Sequence, residues 1–218
     1  MADDVKARGY RSPLRERQAE STRLAILDAA QRLFTVRGYV RTRLSDVAEE
    51  AGVSLATVKL GFKTKPELLL VVWHRTLAGG VDDQVPVAER AWTREIYEAA
   101  DPRESLRLLA RNVTMVRRRI MPLRHVMDAA AAADEEIAEL LERMTGEFYA
   151  NQQAVASHLA AGGHLRAELT VPEATDLLFT LNNGQLYQLL VEQRGWTPER
   201  YETWLAGLLQ RELLRPVS

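Results

Sequence analysis

The 218-residue sequence contains no cysteine. That excludes a disulfide framework, a thiolate metal site and a cysteine nucleophile, and it suits a reducing compartment. No uninterrupted apolar run approaches the roughly 20 residues needed to span a bilayer. The opening stretch MADDVKARGYRSPLRERQAES lacks the apolar core of a signal peptide. A cytoplasmic protein without membrane contact is the expectation. Enzyme signatures are equally scarce: there is no GxxxxGK phosphate loop, GxGxxG turn, GxSxG elbow, HExxH pair or ExxH of a helical di-metal site. The four histidines, His74, His125, His158 and His164, share no metal-ligand spacing. No catalytic residue, metal or cofactor is expected.

What the chain does have is helical periodicity. Apolar residues recur at three- and four-residue spacing almost throughout, and no alternating strand-like run of useful length interrupts them. From Thr22 to Arg37 a stripe of Ile26, Ala29, Ala30, Leu33 and Phe34 predicts a helix stopped by Gly38. Leu44 to Ala51 and Ser54 to Phe62 read as two short helices on either side of Gly52. Thr64 with Glu67 has capping-box spacing for a fourth helix to about Ala78. Beyond the linker-like VDDQVP, longer helices are expected at 87–99, 103–121, 122–132, 134–161, 172–193 and 198–214.

Charge is divided along the chain although the net value is -1. Residues 1–65 carry 13 Lys and Arg against 8 Asp and Glu, and the rest of the chain carries 16 against 22. A basic N-terminal segment on an acidic body fits a protein that meets a polyanion at one end. A solvated arm with no partner has the same composition.

The stretch AGVSLATVKLGFKTKPELL, residues 51–69, is the most specific in the chain. A helix-turn-helix crosses two short helices with almost no loop. Ala48 is small at the crossing, Gly52 permits a left-handed turn, and Val47, Val53 and Val58 face inward. Ser54 can cap the second helix, which then presents Leu55, Ala56, Thr57, Lys59 and Leu60, with Gly61 at its end. Arg41, Arg43, Lys59, Lys63 and Lys65 flank this surface and can bracket a DNA backbone. Spacing alone leaves open an ordinary pair of bundle helices.

The 48 residues from TRLAILDAA through KTKPELL resemble the DNA-binding domain of the TetR/AcrR family of bacterial transcriptional regulators. The residues that carry the resemblance are Ile26, Ala29, Leu33, Phe34, Gly38, Tyr39 and Thr42, then Asp46-Val47-Ala48, Ala51-Gly52-Val53-Ser54, Thr57, Phe62 and Lys65. It implies an all-α protein in which an N-terminal three-helix helix-turn-helix domain is joined by a fourth helix to a larger helical ligand-binding and dimerisation domain. The corresponding domains are a basic flexible arm at 1–19, a DNA-binding domain at 20–80 with its helix-turn-helix at about 43–62, and a regulatory domain at 81–218. The arm's Arg8, Arg11, Arg15 and Arg17 are candidates for nonspecific or minor-groove contacts.

The resemblance further implies a homodimer on a double-stranded, palindrome-like operator. Thr42 and Lys65 match phosphate-holding positions, and Leu55, Ala56, Thr57 and Lys59 match positions facing bases or backbone. The sequence departs from the family at Lys59, where an aromatic is usual, at Gly61, where His is common, and at Arg43, which replaces a capping Thr or Ser. Lys59 can reach a guanine edge or a phosphate.

A repressor released by a small-molecule effector is the function implied. An activator without an effector, or a helical protein-interaction module, are the alternatives. Candidate effector contacts are Trp73, Met115, Arg119, His125, Tyr149, Phe179, Asn182 and Asn183, with Asn182-Asn183 the leading hint because a buried amide needs partners. The run Arg117-Arg118-Arg119 suits an anionic ligand or a solvated face. Leu177, Leu181, Gly184, Leu205 and Leu208 are candidates for a dimer face on the last two helices, although leucines at this spacing serve an internal core equally well.

Overall fold

The computed structural model describes residues 13–80 and 85–216, and all of its regular structure there is helical. Among these residues the sole strand-like feature is an antiparallel bridge between Leu165 and Leu214. The chain divides into two compact units, Met1–Val72 and Trp73–Ser218.

In the first unit, α1 runs over Pro13–Arg37, α2 over Leu44–Glu50 and α3 over Leu55–Gly61; α4, Lys65–Ala78, begins there. Ile26, Leu27, Ala30, Leu33 and Phe34 of α1 are buried with Val47, Ala48, Val58, Phe62, Leu68 and Leu69. Burying this stripe is what drives the unit together. Helix α1 starts earlier than its apolar stripe. Residues 13–19, assigned to a flexible arm from the sequence, are its first turns, and Leu14 to Glu20 are exposed. Arg15 and Arg17 therefore stand on a helix, whereas Arg8 and Arg11 lie outside the described residues.

The second unit contains a 3-10 turn at Val87–Glu89, α5 (Ala91–Glu98), α6 (Pro102–Ala131), α7 (Glu135–Ala161), α8 (Val171–Leu181), α9 (Gly184–Tyr187) and α10 (Pro198–Leu213). Helix α6 packs on α5, α7 and α10, and α7 packs on α8. Two expected boundaries are corrected. Pro122 does not end a helix: α6 passes through it as one 30-residue element. Proline removes the bond to the carbonyl four residues back, but Arg118 and Pro122 are both exposed, so water can satisfy that carbonyl. Ile120, Met121 and Leu123 are buried on either side of the proline and hold the helix on the core.

Conversely, the helix expected at 172–193 is broken. Asn182 ends α8, and Asn183 caps α9 by accepting a hydrogen bond from the Gln185 N–H at 3.1 Å. Asparagine at a helix start competes well with continued helix. A π-helical turn at Gln188–Gln193 follows.

Candidate DNA-binding surface and interior cavity

The turn between α2 and α3 is built as the sequence requires. Gly52 has φ +66°, which L side chains rarely adopt. The Gly52 and Val53 N–H groups donate to the Glu49 and Ala48 carbonyls at 3.1 and 2.9 Å and close the turn. Ser54 caps α3: its hydroxyl oxygen accepts from the Thr57 N–H at 3.1 Å and lies 2.8 Å from the Thr57 hydroxyl. Arg43 begins α2, and the Asp46 carboxylate accepts from its N–H at 2.8 Å. Asp46 thus supplies the reciprocal half of a capping box by satisfying the Arg43 N–H, while Arg43 supplies no side-chain cap, since a guanidinium has no acceptor.

Helix α3 turns Val58 fully inward and leaves Leu55, Ala56, Lys59, Leu60 and Gly61 exposed, with Thr57 half-buried. Leu60 is 89% exposed and, with the 39% exposed Leu55, gives the outer face of α3 an apolar component. Lys63 and Arg43 are also exposed. A Cβ on Gly61 would meet nothing within 4 Å, and its φ is not in the left-handed region. Space therefore does not explain the glycine.

Two of the residues matched to phosphate-holding positions are engaged inside the domain. Thr42 is 0% exposed, and its hydroxyl donates to the Gly38 carbonyl at 2.8 Å. That corrects its assignment as a DNA contact: the hydroxyl fastens the loop after α1. Lys65 is half-buried. Its ammonium donates to the Tyr39 carbonyl at 3.1 Å and lies 4.0 Å from the centre of the Tyr39 ring. It ties the start of α4 to the same loop through a cation–π contact.

The second unit contains a partly open cavity of about 470 Å³. Trp73, His74 and Leu77 of α4 line it, with Trp92, Tyr97, Asn112, Arg117, Phe148, Gln152, Phe179 and Asn183. Phe148 and Phe179 stand 5.4 Å apart, ring centre to ring centre. Burial holds the His74 imidazole below its ordinary value, an effect that Glu147 opposes and Arg90 reinforces.

The eight effector candidates divide. Trp73, Phe179 and Asn183 line the cavity, and Asn182 is buried behind it, its amide nitrogen donating to Gln152 Oε1 at 2.7 Å. The buried amide thus finds a partner within its own chain, although Asn182 Oδ1 has none.

The other four candidates do not line the cavity either. Met115 is half-buried elsewhere on α6. His125 Nε2 lies 2.8 Å from a Glu192 oxygen. The Tyr149 hydroxyl donates to Asp176 at 2.9 Å, an interaction that pushes its ionisation up. Arg119 is exposed, with a guanidinium nitrogen 2.8 Å from where a Cβ on Gly79 would sit.

Arg117 is absent from the sequence-based candidates because it sits in a charge run, yet it alone of Arg117, Arg118 and Arg119 lines the cavity. Its register is a usable signal. Ala110, Val113, Arg117, Ile120 and Met121 follow three- and four-residue spacing along one face of α6.

Among the dimer candidates, Leu177, Leu181 and Leu208 are half-buried. Leu205 is 0% exposed within its own chain, in the cluster with Leu178, Tyr201 and Leu209, which corrects its assignment to an interface. Gly184 lines the cavity, and a Cβ there would lie 3.1 Å from Met121 Sδ.

Residues 26–72 match the model of a family described as bacterial regulatory proteins, tetR family. Among curated proteins the chain is similar to the HTH-type transcriptional regulator TtgR of Pseudomonas putida, 29% identical over 191 residues that span 74% of this chain and 86% of that protein. It is also similar to the probable HTH-type transcriptional regulator ArpR of Pseudomonas putida, 44% identical over 52 residues, 24% of this chain and 25% of that one.

Among solved structures, the fold is similar to that of NalD, the secondary repressor of the MexAB-OprM multidrug efflux pump in Pseudomonas aeruginosa. The TM-score is 0.68 at 23% identity, covering 92% of this chain and 100% of that one. It is likewise similar to a SmeT–triclosan complex, with TM-score 0.69 at 19% identity, covering 89% of this chain and 92% of that one.

Proposed function

From the chain's membership of the TetR family of bacterial transcriptional regulators, carried by residues 26–72, we propose that it is a homodimeric repressor that a small-molecule effector releases from a palindromic operator. The observation that supports DNA binding best is the outer face of α3. Its cap is satisfied, its inner side chain is buried, and Leu55, Ala56, Lys59 and Leu60 stand free of the domain. A short helix presented in this way, with Arg43 and Lys63 exposed nearby, suits a major groove flanked by phosphates. Leu60 offers an apolar contact to a thymine methyl, and Lys59 a donor to guanine or phosphate.

A cavity for the effector is what gives regulation a physical basis. Helix α4 carries Lys65, bound to Tyr39, at one end and the cavity-lining Trp73, His74 and Leu77 towards the other. A ligand that favours one placement of those side chains biases the placement of the whole helix. An effector need only bind the DNA-incompetent form better to empty the operator. Half-buried Leu177 and Leu181 on α8 and Leu208 on α10 support a dimer face built from these two helices. Such a regulator works in the cytoplasm, and no helix among the described residues is long and apolar enough to cross a membrane.

Selection of bound duplexes from a random pool, followed by gel shift with the full chain, tests this reading. Enrichment of paired, inverted half-sites about one helical turn apart is expected. A folded protein that selects no duplex would overturn it.

A further inference from the structure

The cavity wall carries a cation for which its partners supply no countercharge. One Arg117 guanidinium nitrogen donates to the Asn182 main-chain carbonyl at 2.7 Å, and the guanidinium carbon lies 5.0 Å from the centre of the Phe148 ring. Both partners are neutral. Two acids also line the cavity, Asp128 and Glu147, and both are exposed. Asp128 already pairs with Arg124 at 2.8 Å, and Glu147 acts on His74.

Burial draws the Arg117 guanidinium down to about 10, and the ionisable groups acting on it are Tyr201 and Arg124, neither of them a carboxylate. It stays charged at neutral pH. Arg117 is half-buried, a charge drawn partly out of water without a charged partner is costly, and a guanidinium offers five N–H donors in a planar fork, of which the Asn182 carbonyl takes one.

From this geometry we infer that the cavity takes an apolar monocarboxylate, its carboxylate held by Arg117 and its body against Trp73, Trp92 and Phe179. A planar carboxylate matches the guanidinium fork. A doubly charged phosphate would remain half compensated among aromatic walls. The volume of about 470 Å³ falls in the range for drug-sized ligands. The inference rests on the reading of the cavity as the effector site and names the effector's chemistry.

Calorimetric titration of the full chain, free of DNA, with 2-naphthoate and decanoate, each beside its own amide, tests it. At least one acid is expected to bind tenfold or more tightly than its amide, and the better of the two acids shows whether the body is aryl or alkyl. Arg117→Gln is expected to bring that acid down to the level of its amide, and Arg117→Lys to restore part of the difference. The inference is overturned if neither acid binds, if amides bind as well as acids, or if the preference survives in Arg117→Gln. Should that variant fail to fold, the acid-against-amide comparison on the unaltered chain decides alone. Release of DNA by the acid is measured separately and bears only on the regulatory reading.

Discussion

Gly52 and Gly61 lie nine residues apart, one in the turn before α3 and one at the end of α3, and replacing each with alanine is expected to change stability in opposite directions. At Gly52 a Cβ meets nothing within 4 Å, so no clash contributes; the whole cost is the backbone at φ +66°. Holding an L-residue there costs about 1–2 kcal/mol. At Gly61, the last residue of α3, the surroundings are as open but the backbone is not left-handed. Alanine there gains up to about 0.5–1 kcal/mol from reduced freedom in the unfolded chain.

The two variants should therefore differ by about 2 kcal/mol, roughly 30-fold in the population of the opened motif. Hydrogen exchange of the α2 and α3 amides reads that population locally, which matters because a chain of two units need not unfold in one step. Faster exchange in Gly52→Ala and slower exchange in Gly61→Ala are expected. Equal exchange in the two variants, or faster exchange in Gly61→Ala, would refute this explanation of why each glycine is tolerated.

Thr42→Val should cost about 1–3 kcal/mol by leaving the Gly38 carbonyl without its donor, yet leave the salt dependence of DNA binding unchanged; denaturation and gel shift check the two halves. Leu205→Ala should destabilise the second unit by about 2–5 kcal/mol. Because Leu205 belongs to the internal core, chemical denaturation should show that loss at every protein concentration. For His74, burial lowers the folded-state value below 6.5, so the folded protein takes up the proton less readily than the unfolded chain. Its stability is complete above about pH 6.5 and falls as pH drops through the folded value. His74→Gln should flatten that acid slope in melting curves recorded from pH 8 to 5.

The helix-turn-helix is legible in the sequence because each of its parts has a local chemical reason: an apolar stripe, a glycine at the turn, a serine at the cap. Where the sequence misleads, tertiary context outweighs the local signal. The first turns of α1 bury almost nothing, so no periodicity announces them. Pro122 is a helix breaker only where the freed carbonyl has no water. Asn182 and Asn183 look like a polar insertion in one helix and are in fact the join between two.

Thr42 and Leu205 turn inward, and neither a family position nor a leucine stripe reveals which way a side chain turns. Arg117 is hidden by its neighbours. Three consecutive arginines read as a surface run, and only the register of α6 separates the one that lines the cavity from the two exposed to solvent.

Whether the outer face of α3 meets DNA is tested most directly by the slope of log affinity against log salt on a selected duplex, for the unaltered chain, Lys59→Ala and the Lys59→Ala/Lys63→Ala pair. Each phosphate deprived of its cation lowers the slope by about 0.9. Weaker binding by both variants is expected, with a shallower slope when both cations are removed, and with reduced discrimination at an unchanged slope in Lys59→Ala if Lys59 reads a base. Affinity, slope and sequence preference all unchanged in the double variant would contradict a DNA-facing α3.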